Sequence, residues 1–134
     1  MRYTPIIEQS ILLPAPPAKL YAVFLDSREH SRFTGGPAKI SEKVGGRFTA
    51  FGGAIAGRNL LLVPNRMIVQ AWRATHWPQS DPDSVLILRF SETHGQGRID
   101  LVHVNVPEHD HDGVSKGWPS YYWDPWKAYL RKKR

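Results

Sequence analysis

Turn residues interrupt the chain at short intervals between residues 38 and 107, and this spacing constrains the fold more than any other feature. The runs 38–43, 47–51, 54–63, 67–75, 84–91 and 98–106 read as strands. They are separated by Val44-Gly45-Gly46, Gly52-Gly53, Pro64-Asn65, the region around Pro78 and a loop at 92–97, and Pro107 ends the last. Parallel neighbours need crossovers of about a dozen residues or more, which these breaks do not provide. The expected arrangement is therefore an antiparallel meander.

The flanks supply the helices. Residues 6–13 read as a first strand, ended by Pro14, Pro16 and Pro17. In 18–25, Leu20, Val23 and Phe24 recur at helical spacing, and Pro17 suits a first helical turn. A second short helix is expected over 27–33, closed by Gly35-Gly36. After the polar stretch 108–116 comes GWPSYYWDPWKAYL, where Trp118, Tyr122, Trp126 and Tyr129 form one helical stripe. Pro125 lacks an N–H inside that pattern, so a kink or restart is expected there, with Asp124 as its cap. The order is strand, two helices, six strands and a closing helix. It predicts an α+β fold, a curved antiparallel β-sheet wrapped around a long C-terminal helix, in one domain over residues 1–134.

Charge and composition narrow the function. A net charge of +6 favours acidic partners, but the basic residues are scattered and do not read as a nucleic-acid footprint. The one dense run, Arg131-Lys132-Lys133-Arg134, is expected to sit over the negative end of the closing helix. With no cysteine, disulfides, thiolate metal sites and a Cys nucleophile are excluded, in keeping with a reducing compartment. No run approaches the roughly twenty apolar residues of a membrane-spanning helix. MRYTPIIEQS, which carries Glu8, does not read as a signal peptide, so a cytoplasmic location is expected.

Several motifs have a known counterpart. Ala71-Trp72-Arg73-Ala74-Thr75-His76-Trp77-Pro78 resembles the Trp-Arg-x-x-x-Trp-Pro stretch of the activators of heat-shock protein 90 ATPase. Gly117-Trp118-x-x-Tyr121-Tyr122 resembles the start of their closing helix. Val44-Gly45-Gly46-Arg47-Phe48, the Gly53-x-x-x-Gly57 hairpin, Leu62-Val63-Pro64 with Ile68-Val69, and Val106-Pro107-Glu108 are similar in the same order. The resemblance is to the C-terminal domain of that family, within the START-like (SRPBCC, helix-grip) superfamily. It implies a co-chaperone-like binding module with a heat-shock protein 90 type chaperone as partner, and no cofactor. The eukaryotic members carry a further N-terminal domain that makes the main chaperone contact.

Two kinds of site follow. START-like domains often leave a pocket between sheet and helix. Alternation puts Leu86, Leu88 and Phe90 on one face of their strand, and Ile99, Leu101 and His103 on one face of theirs. Trp72 is in phase with Gln70, and Trp118, Tyr122 and Trp126 come from the helix. These residues either line a pocket for an apolar small molecule, with Gln70 and His103 as its polar groups, or fill the gap as core. Arg73, Trp77 and Trp123 are candidate partner contacts, because the two tryptophans are hard to place inside by phase. His109 and His111 alternate with Glu108, Asp110 and Asp112 in a loop that reads as solvated and holds no expected metal. No nucleophile elbow, phosphate loop, dinucleotide fingerprint or zinc-protease motif occurs, and Asp100, His103 and Glu92 form no readable constellation, so an enzyme is not expected.

Overall fold

The computed structural model describes residues 4–132. Seven strands form one antiparallel sheet in the order β1-β7-β6-β5-β4-β3-β2. They are β1 (Ile7–Leu13), β2 (Lys39–Ile40), β3 (Arg47–Ala50), β4 (Ile55–Val63), β5 (Met67–Ala74), β6 (Ser84–Thr93) and β7 (Gln96–Val104). Strands β2 to β7 each pair with the next in sequence, as short connections require. The first strand crosses the molecule to pair with the last, from Ile7 opposite His103 to Leu13 opposite Gly97.

Two strand limits differ from expectation for local reasons. Strand β2 is two residues long, because the Nδ2 of Asn59 on β4 donates to the carbonyls of Ser41 (2.8 Å) and Lys43 (3.0 Å) and draws the chain off the ladder. The expected loop at 92–97 is a two-residue turn. His94 (φ 52°) and Gly95 (φ 77°) both have positive φ, and Thr93 pairs with Gln96 across them.

Helices α1 (Pro17–Leu25) and α2 (Ser27–Thr34) follow β1. The Asp26 side chain caps α2 by accepting the Glu29 N–H at 2.8 Å, and Gly35 ends it in the left-handed region at φ 79°. The C-terminal helix comprises α3 (His111–Gly117), a π-helical segment (Trp118–Trp123) and α4 (Asp124–Lys132). The expected irregularity is thus present, but it covers Trp118–Trp123, ahead of Pro125. Asp124 is no cap, since it has helical φ and ψ of −67° and −50°. The π register places the Asp124 N–H on the Pro119 carbonyl. Arg131 and Lys132 lie in the last turn of α4, and Lys133 and Arg134 fall outside the described residues.

The sheet curves around this helix. One face of every long strand enters the core, with Ile68, Trp72, Leu86, Leu88, Phe90, Ile99 and Leu101 meeting Trp118, Tyr122, Trp123 and Trp126. Gly57 is imposed by this packing: a Cβ there would collide with the Ala71 carbonyl and the Phe48 ring. Among the described residues, no helix is long and apolar enough to cross a membrane.

Candidate functional site

Two histidines are sealed between sheet and helices, and their bonds fix their tautomers. His30 is 1% exposed; its Nδ1 faces the Phe24 carbonyl at 2.8 Å and its Nε2 faces the Tyr122 hydroxyl at 3.0 Å. A carbonyl only accepts, so Nδ1 carries the proton and Nε2 accepts from Tyr122. His103 is fully buried and accepts the Trp118 Nε1–H at Nδ1 (3.2 Å). Its proton is therefore on Nε2 and is donated to Ser84 Oγ (2.8 Å), which donates to the Trp72 carbonyl (2.8 Å). Burial pushes His30 down to about 4, against the opposing pull of the Phe24 carbonyl. Burial, and secondarily the charge of His111, push His103 down to about 3. Burial raises the Tyr122 hydroxyl. Each ring is neutral near pH 7, with both nitrogens engaged.

Gln70 belongs to a second buried network. It donates to Asn59 Oδ1 at 3.0 Å, and Asn59 holds the Ser41 and Lys43 carbonyls of the β2–β3 connection. Gln70 and His103 therefore do not serve as the polar groups of an open pocket.

A cavity of about 460 Å³ does open at one end of the sheet–helix gap. Trp72, Trp118 and Tyr122 border it, joined by Phe51, Ile55, Val114 and Tyr121, with His76 and Asp110 on its polar side. Of the expected pocket residues, Gln70, Leu86, Leu88, Phe90, Ile99, Leu101, His103 and Trp126 do not border this cavity; they are packed core. Phe51, which sequence reasoning missed, sits at φ 53° in the left-handed region, a strain on the order of 1 kcal/mol. That conformation sets its ring 5.9 Å from Tyr121 and 5.6 Å from Tyr122.

The expected surface anchors are buried. Trp77 is 3% exposed, and its Nε1 donates to Asp110 Oδ2 at 2.8 Å. Arg73 binds back onto its own loop. Its guanidinium donates to the Asp81 and Pro78 carbonyls (3.1 and 3.0 Å), pairs with Asp83 Oδ1 (2.8 Å) and lies 5.8 Å above the Trp77 ring. Trp123 is 4% exposed and donates to Gln9 Oε1 at 2.8 Å. The stretch expected as a loop is a 3-10 turn (Glu108–Asp110) running straight into α3, and its histidines bond to different partners, His109 to Asp81 (2.7 Å) and His111 to the Pro5 carbonyl (2.7 Å). Among the described residues no three metal-ligating side chains converge.

With this geometry in place, comparison with known proteins is decisive. The family model for Activator of Hsp90 ATPase homolog 1-like protein matches residues 14–131. The chain belongs to that family. Activator of 90 kDa heat shock protein ATPase homolog 1 of Homo sapiens is 29% identical over 108 residues, covering 81% of this chain and 32% of the relative. Homolog 2 of Mus musculus is 30% identical over 112 residues, covering 84% and 34%. The chain thus spans about a third of the length of the curated relatives it matches. The crystal structure of an HSP90 activator from Plasmodium falciparum superposes with a TM-score of 0.84 at 25% identity, covering 93% of this chain and 95% of that one. A Mesorhizobium loti protein at 17% identity shares the fold with a TM-score of 0.83, covering 97% and 99%.

In this member of the Activator of Hsp90 ATPase homolog 1-like family, the motifs that carry the resemblance have structural roles. Trp72 and Trp118 pack against the buried His103, and Arg73 and Trp77 clasp the β5–β6 connection onto the helix entrance. Gln9 gave no sequence signal, yet it joins the ends of the fold. Its Nε2 donates to the Ser115 carbonyl (2.8 Å), which Pro119 leaves without a helical donor.

Proposed function

We propose that this domain is a non-catalytic co-chaperone-type module that binds a heat-shock protein 90 type chaperone. The observation that carries the reading is the family match over nearly the whole domain, with relatives named as activators of that chaperone's ATPase. The buried histidines support it: both nitrogens of each are committed to packing bonds, so neither ring is free to move a substrate proton. The module acts by preferring one chaperone conformation and so raising its population. Titrating the domain into a heat-shock protein 90 type chaperone in a calorimeter, with and without nucleotide, tests this. Saturable heat that depends on nucleotide is expected, and no heat at high concentration would sink the reading. Trp77→Ala is unsuited to mapping the contact, because removing this buried indole costs about 3–5 kcal/mol of stability.

The cavity favours a second reading, in which the domain holds an apolar small molecule. Its walls are mostly aromatic and aliphatic side chains, and its volume lies within the range of ligand pockets, roughly 300–1,000 Å³. An apolar dye quenched by Trp72 and Trp118, and expelled by the filling variant Val114→Trp, would support this reading. Unchanged dye binding in that variant would place the dye elsewhere and remove the cavity from consideration.

A further inference from the structure

The outward face of the sheet carries a second, unpartnered surface. An antiparallel sheet with one face on a core normally turns polar residues to the other. Here Leu61, Val69, Ile87 and Val102 stand side by side across four strands, in register. Ala71, Val85 and Val104 form the next row, and Val63 and Met67 begin a third. Ala71 is buried beneath its neighbours; the other eight lie outside the core, which takes the alternate positions of the same strands, with seven of them half-buried and Leu61 47% exposed. Contiguous apolar area of this kind on a folded domain marks an interaction site.

The charge beside the strip points to its occupant. The row of Ala71 and Val85 continues into Arg58 and then Arg47, directly opposite one another on β4 and β3. Both are exposed, and no carboxylate pairs with either among the described residues. Like charges facing across strands destabilise a sheet, so this pair costs the isolated domain stability that an acidic partner returns. At the far end Arg98 pairs with Asp100 at 3.0 Å, Arg89 faces that same carboxylate across β6 and β7, and Glu8 follows Val102 in the central row, so the positive edge of the strip lies on the β3–β4 side. A second copy of the chain would bring the same arginines and another net charge of +6, which opposes self-association. A bilayer is a poor match as well, since interfacial insertion uses Trp, Phe and Leu, and this wall is mostly Val and Ile with few protruding side chains.

We propose that the convex sheet face, with Leu61, Val69, Ile87 and Val102 at its centre and Arg47 and Arg58 at its edge, is the docking surface for an acidic protein partner. That partner presents apolar residues bordered on one side by carboxylates. The inference rests on the reading of the domain as a chaperone-binding module, and it names the surface that module uses.

The test is calorimetric titration of a heat-shock protein 90 type chaperone with wild type, Arg47→Gln/Arg58→Gln, Val69→Thr/Ile87→Thr, and Lys127→Gln as a control on α4. The arginine variant is expected to bind at least about tenfold more weakly while its Tm holds or rises, which separates lost binding from lost folding. The threonine variant should lose about fivefold, and Lys127→Gln should match wild type. If wild type binds and both sheet-face variants bind equally well, the docking surface is overturned and the chaperone reading stands. If wild type does not bind, the chaperone reading falls and takes this inference with it. Phosphatidylserine vesicles are titrated in parallel. Vesicle binding lost in the arginine variant, with chaperone affinity retained, would reassign the face to a membrane and overturn the proposal.

Discussion

At the scale of single residues, the two sealed histidines make this domain acid-sensitive. Both fold into sites that hold them neutral, with His30 at about 4 and His103 at about 3 against a usual value of 6.5. As pH falls below 6.5 the unfolded chain takes up these protons while the native state does not. The stability they contribute is complete above that pH. It drains away towards pH 4 for His30 and pH 3 for His103, at about 1.4 kcal/mol per pH unit for each. Urea unfolding at pH 7, 6 and 5 should show this slope, and His103→Gln should remove one proton from it whatever its effect at neutral pH. A profile in which that variant keeps the full slope would mean that His103 is already charged or exposed. The alternation of residues in β6 and β7 placed His103 on the inner face from sequence alone. Its partners were not legible, because Ser84 and Trp118 reach it from a different strand and from the helix.

At the scale of elements, the π segment decides what sequence periodicity got wrong. A stripe drawn at α-helical spacing from Trp118 leads to Tyr122 and Trp126 and leaves Trp123 outside. The i→i+5 register of the π segment brings residues five apart over one another, so Trp123 stacks on Trp118 at 5.5 Å and 22°. Its indole N–H then reaches Gln9, whereas that of Trp126, fully buried, finds no hydrogen-bond partner among the described residues. The two therefore respond differently to the same change. Trp123→Phe strands the Gln9 amide oxygen and should cost about 1–3 kcal/mol beyond its lost area, while Trp126→Phe removes an unsatisfied donor and should cost less. Chemical denaturation of the two variants compares them directly, and equal losses would show that the Gln9 bond contributes nothing. The strands themselves were readable because glycine and proline punctuate them. The turn at His94-Gly95 was not, since histidine stands where Asn or Asp usually announces a tight hairpin.

For the whole molecule, charge sets the response to salt. The net charge is +6 and the outer sheet places Arg47 against Arg58, so repulsion outweighs the few surface ion pairs, each of which contributes little. Raising ionic strength from low salt to about 0.15 M, where the screening length is about 8 Å, should therefore raise Tm by a degree or two. A fall in Tm would show instead that ion pairs such as Arg73–Asp83 dominate. The same salt should weaken binding of an acidic partner, so stability and affinity are expected to move in opposite directions.

The pairing of β1 with β7, and the grip of Gln9 on Trp123 and Ser115, also bear on how the domain closes. The domain's first strand has its partners in its last strand and closing helix, so the hairpins between them lack part of their cover until those elements are in place. Folding of this domain therefore waits on its most distant contacts, those of β1 with β7 and with the closing helix. Its refolding should be slower than that of a helical bundle of equal size. During that wait the same Val and Ile wall that later meets a partner lies open to chaperones of the ordinary kind.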